Sequence, residues 1–105
     1  MGCNEDKGEI NNGFLINRNM TLYLSDGTVS DLDGLITSGG GAAAVYGVLV
    51  EKGILAGSLA GPVATVIGGI ILTYWGMIKV QNDGCGVILK SRIPLGNTAP
   101  TVHSQ

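Results

Sequence analysis

The sequence predicts an α+β fold: an apolar, Gly/Ala-rich helical hairpin at about 29–52 and 54 or 62–80, flanked by short β-strands at about 14–24 and 86–93. Two observations carry that prediction. Charge is the first: between Gly34 and Ile78 only the neighbours Glu51 and Lys52 are charged, so the chain is polar, then apolar, then polar. Periodicity is the second: Met20, Leu22 and Leu24 alternate with Thr21, Tyr23 and Ser25, the two-residue period of a strand with one buried face. With 105 residues there is room for one domain, read as a polar arm at 1–12, a single domain at 13–93 and a tail at 94–105.

Each element has a local reason. Phe14 and Ile16 start the alternation, and Gly86 to Ile93 reads as one strand that pairs with Met20 to Leu24. Ser25-Asp26-Gly27 reads as a turn. Thr28-Val29-Ser30-Asp31 then has capping-box spacing, so the first helix is expected to start near Val29, with Asp31 and Asp33 at its positive end. Ser38-Gly39-Gly40-Gly41 interrupts that helix, because interior glycines disfavour it, and a second piece runs from Ala42 to Lys52. Glu51-Lys52-Gly53 makes a tight connection in which Gly53 takes the left-handed cap. Pro62 suits a first helical turn, giving a helix from about Pro62 to Val80 that Asn82-Asp83-Gly84 stops.

Composition excludes several function classes. Six Lys+Arg against eight Asp+Glu leave no electrostatic footprint for a nucleic acid. Spacing pairs none of Ser58, Thr65 and Cys85 with a His or Lys base, and His103 lies in the tail without neighbours in sequence that could make it a base or a ligand, so no catalytic residue and no small-molecule substrate are expected. No Lys follows Gly39-Gly40-Gly41 before Lys52, which removes a phosphate loop, and no cofactor is expected. Cys3 and Cys85 lie outside any CxxC pattern and give no metal site. They read as two unrelated thiols, with a disulfide between them as the open alternative. Asp6 stands where the myristoylation pattern wants Ser or Thr.

The 26 residues from Gly53 to Ile78 carry no charge, which at about 1.5 Å per residue is enough to cross a hydrocarbon core of roughly 30 Å. Within that run Gly57, Gly61, Ala64, Thr65, Gly68, Gly69 and Gly76 recur with small-xxx-small spacing, the pattern of a helix-packing or oligomer face. Tyr74, Trp75 and Lys79 at its end are expected at a membrane interface, with amphipathic rings at headgroup depth and a cation beyond.

The segment from Gly39-Gly40-Gly41-Ala42-Ala43-Ala44 through Val63-Ala64-Thr65-Val66-Ile67-Gly68-Gly69-Ile70 resembles the Gly/Ala-rich cores of bacteriocin-like membrane-active proteins. More loosely, two apolar helices joined by Glu51-Lys52-Gly53 are similar to the hairpin of conjugative pilus subunits and small phage holins. The resemblance implies a pore-forming homo-oligomer acting on a lipid bilayer, of bacterial or phage origin. Such a protein would be membrane-associated, or secreted without a cleavable signal peptide, since residues 1–33 offer no basic region followed by an apolar one. Arg18, Lys79, Lys90 and Arg92 would place both termini at the cytoplasmic side if the hairpin spans. The alternative expectation is a self-assembling structural subunit, its apolar helices buried between copies and its strands adding to a neighbour's sheet.

Overall fold

A computed structural model describes residues 3–12, 18–55, 61–93 and 100–105. Four helices lie on one face of a four-stranded antiparallel sheet, so the fold is α+β. In chain order the elements are β1 (Lys7–Asn12), β2 (Arg18–Leu24), α1 (Asp26–Thr37), α2 (Ala42–Glu51), α3 (Gly61–Thr73), α4 (Trp75–Gln81), β3 (Val87–Ile93) and β4 (Thr101–Ser104). The expected strand residues 14–17 and the tail residues 94–99 lie outside the described residues.

The sheet order is β1-β2-β3-β4, and the expected pairing of β2 with β3 holds, with Leu22 opposite Leu89 and Leu24 opposite Val87. Alternation sends Met20, Leu22, Leu24, Val87, Leu89 and Val102 inward, where they meet Leu32, Val45, Leu49, Ile67, Ile71 and Ile78 from the helices. Branched aliphatic side chains thus make up most of this core, in a chain with only 5% aromatic residues. The radius of gyration, 12.6 Å, is that of a single chain closed on its own core, about 13 Å at this length.

Both chain ends differ from the sequence reading. Residues 7–12, expected as a loose arm, form β1 against β2, and Thr101–Ser104, expected as tail, form β4 against β3. Pairing β1 to β2 and β2 to β3 returns Cys3 to the start of β3, where it forms a disulfide with Cys85 across 82 residues of sequence. The expectation of two unrelated thiols is corrected by that pairing. Beside the bridge the Asn4 N–H donates to the Cys85 carbonyl at 2.6 Å, and the Asn4 side-chain oxygen accepts from the Asp26 N–H at 2.8 Å.

The first helix starts three residues early. Ser25, not Thr28, is the N-cap: its Oγ accepts from the Thr28 N–H at 3.1 Å, and Thr28 is fully buried inside the helix. Asp6, from before β1, makes the difference by accepting from the Ser25 N–H at 2.8 Å, the Ser25 hydroxyl at 2.9 Å and the Thr28 hydroxyl at 2.8 Å. The earlier start moves Asp31 and Asp33 out of the first turn, where they pair with Lys52 at 2.7 Å and Lys79 at 3.1 Å.

The glycine break and the connection after α2 hold as expected: α1 ends at Thr37, α2 opens at Ala42, and Gly53 has φ +76°. The expected single helix to Val80 is instead two, α3 and α4, bent by 64°. No Pro stands at the break, and Gly76 follows it in the first turn of α4. The Tyr74 N–H still donates to the Ile70 carbonyl at 3.0 Å, and the Tyr74 carbonyl accepts from the Ile78 N–H at 3.1 Å. The bend turns Trp75 and Ile78 onto the core, which explains it energetically, since a buried side chain of that size contributes roughly 1.5–3 kcal/mol.

Candidate functional site

The outward face of the helical layer is the region to which the sequence assigned function. On α2 the exposed residues are Ala43, Ala44, Gly47 and Glu51, and on α3, over residues 64–73, they are Thr65 and Thr73. On α4 Gly76, Met77, Lys79, Val80 and Gln81 are exposed, with Val80 at 80% the most open large apolar side chain among the described residues. From Ala42 to Val50 and from Ala64 to Ile78 this face carries no charge. A water-facing surface normally mixes charges of both signs through such a layer, so a smooth uncharged face of Ala, Gly and Thr is unusual.

The small-residue stripe does not stay one face. Gly68 is buried where α3 crosses the start of α2, and a Cβ there would press on the Ala42 backbone, 2.7 Å from its carbonyl carbon. A methyl added at Gly69 or Gly76 would meet nothing within 4 Å, while Ala64 is half-buried and Thr65 exposed. Gly61 is the first residue of α3, and Gly57 lies outside the described residues. One glycine therefore serves packing within the chain, and two of its neighbours leave the surface smooth.

Tyr74, Trp75 and Lys79 do not form a ring of interface anchors here. Trp75 is 8% exposed, and its indole N–H donates to Asp33 Oδ1 at 3.2 Å. The Lys79 ammonium meets the same oxygen at 3.1 Å, while Tyr74 is half-buried against the core. Asp33 on α1 thus clasps α4 by two contacts, a role that sequence reasoning missed. The sequence offers a carboxylate expected in the first turn of a helix, which gives no hint of a partner 42 residues on.

The Trp75 N–H, then Lys79, hold the Asp33 carboxyl below the ordinary aspartate value. A depressed pKa in the folded state adds stability above the unfolded value of about 3.9, and that stability disappears as pH falls through the folded value. Thermal melts followed by emission of Trp75, the sole tryptophan, are expected to show melting temperature falling more steeply below about pH 4 in the wild type than in Asp33→Asn. Equal slopes in the two proteins would mean that the clasp contributes nothing.

Among the described residues no group of three or more His, Cys, Asp or Glu side chains is placed to hold a metal ion. Compared with known proteins, the chain matches no family model, no curated protein and no solved structure.

Proposed function

We propose that this chain is a membrane-active, pore-forming protein of bacteriocin-like kind, which enters the bilayer as an oligomer through its apolar helices. The bent pair α3 and α4 carries the reading. Among the described residues no single helix is long and apolar enough to cross a membrane, yet Ala64–Thr73 and Trp75–Gln81 pass that test together. Straightened at Tyr74, residues 61–81 would make a helix of about 31 Å, close to the roughly 30 Å hydrocarbon thickness. The hydrogen bonds on both sides of Tyr74 already follow helical spacing, so straightening asks mainly for release of the Asp33 clasp and of the buried side chains of α4. The α2 and α3 pair, in close contact at Gly68, supplies the helical hairpin, and its smooth outer face suits association of copies. A disulfide between Cys3 and Cys85 suits an oxidising compartment outside the cytosol.

Thr73→Lys tests the reading. Thr73 is exposed in the folded chain, so the added charge is tolerated there, but it would sit near the midplane of the straightened helix. A lysine at that depth costs about 2.5–3.5 kcal/mol, so dye release from vesicles should fall on the order of 100-fold at unchanged helicity. Equal release by both proteins, or none by the wild type, overturns the proposal. The uncharged outer face also fits a second reading, a self-assembling structural subunit. Large particles in buffer without lipid or detergent would favour that one.

A further inference from the structure

The outward face of the sheet has a character opposite to the helical layer. Antiparallel register lines up Lys7, Tyr23, Ile88 and His103 in one row across four strands, and Glu9, Thr21, Lys90 and Thr101 in the next. Arg92 lies opposite Asn19 in the row beyond. Strand parity places these side chains on the face away from the helices, since the alternate positions Leu22, Leu89 and Val102 are buried. Lys7 stands over the Tyr23 ring at 4.5 Å, which fixes that row to one side of the sheet.

Among the described residues three cations therefore share this face with one carboxylate, in a chain that has eight acidic residues to six basic ones. Lys52 and Lys79 on the helical side are each neutralised by an aspartate, whereas Lys90 and Arg92 border a shallow depression of about 270 Å³. Asn19, Thr21, Ser91 and Thr101 line the same depression beside Met20, so amide and hydroxyl groups stand next to the two cations. That combination is what a phosphate group requires.

We infer that the outward face of the sheet docks on the anionic phosphate headgroups of a lipid bilayer, with Lys90 and Arg92 as its principal contacts. The cations are spread over β1 and β3 in two dimensions rather than in a line, which matches a plane of headgroups better than a single strand of nucleic acid. Tyr23, the one Phe, Tyr or Trp on this face among the described residues, is already covered by Lys7, which disfavours stacking of bases there. Docking by the sheet leaves the helical layer on the water side. Attachment is thus a step separate from helix entry, and the inference does not depend on the proposed pore.

Co-sedimentation with phosphatidylcholine vesicles, with and without phosphatidylglycerol, tests it. The wild type should partition onto the anionic vesicles only, and less so as salt rises, because screening shortens the reach of the cations. Each Lys or Arg near such a surface is worth about a factor of five, so Lys90→Gln with Arg92→Gln should weaken partition about 25-fold. Glu9→Gln should strengthen it about fivefold. Lys52→Gln removes the same unit of charge from the helical side and should change it less than about twofold. All these side chains are exposed or half-buried, and circular dichroism verifies that each variant folds. Equal partition onto neutral vesicles, or no response to the double substitution, overturns the inference. So does binding of a single-stranded oligonucleotide in place of vesicles. Partition without dye release would defeat the pore and leave the docking face standing.

Discussion

Replacing Cys3 or Cys85 with serine is expected to lower stability by about 2–5 kcal/mol, which in a domain of this size lowers the melting temperature on the order of 10–25 °C. The bridge closes a loop of 82 residues, for which the chain-entropy relation gives about 4.5 kcal/mol, near the top of what one disulfide supplies. Its position adds a second contribution. The bridge anchors the segment that carries Asn4 and Asp6, and those residues satisfy the Asp26 N–H and the Ser25 and Thr28 groups at the start of α1. Freed from Cys85, that segment keeps only the β1 pairing and hydrogen bonds to Ser25, Asp26, Thr28, Gly84, Cys85 and Gln105, several of them exposed to competing water. Cys3→Ser, Cys85→Ser and the double variant should therefore melt together, since each removes the same cross-link, and reductant should bring the wild type to the same temperature. Additive losses, or a wild type indifferent to reductant, would show that the two thiols act independently.

That same segment marks where sequence reasoning stops. The pairing of β2 with β3 was legible because Met20, Leu22 and Leu24 face Leu89 and Val87, and a two-residue period reports one buried face directly. The helix break at Gly39 to Gly41 and the turn at Gly53 were legible because glycine acts locally. Strand β1 was not, since Lys7, Glu9 and the asparagines around Ile10 carry no apolar alternation, and an edge strand gains its order from a partner remote in sequence. The cap at Ser25 was hidden for the same reason: its support comes from Asp6, 19 residues earlier. The bend at Tyr74 has no local signal beyond Gly76, one small residue of the same stripe that was assigned to helix packing. It follows from Trp75 and Ile78 reaching a core that the sheet provides, so tertiary packing overrides a continuous helical pattern. Of the candidate site, the uncharged run and the small residues were visible. The division of labour among them was not, because spacing along one helix cannot say which neighbour each residue meets.

The neighbouring glycines 68 and 69 turn that division into a measurement, because alanine at the two positions is expected to act with opposite sign. Alanine is the better helix former by about 1 kcal/mol, and at Gly69, where a methyl meets nothing within 4 Å, that gain should appear as a melting temperature raised by several degrees. At Gly68 the methyl would press on the backbone of Ala42, with the carbonyl carbon at 2.7 Å and the Cα at 2.8 Å, and backbone cannot rotate away as a side chain would. Overpacking of that kind costs typically about 1–3 kcal/mol, and a contact against main chain belongs at the upper end, so the net loss should be about 2 kcal/mol after the helix gain is deducted. Thermal melts of Gly68→Ala and Gly69→Ala beside the wild type decide it. Two variants shifted in the same direction would mean that α2 and α3 do not cross at Gly68. The opposite shifts also determine how oligomer formation must be probed: a substitution at Gly68 reports on the packing of one chain, whereas substitutions at Gly69 and Gly76 leave the fold intact while roughening the face that another copy, or lipid, would meet.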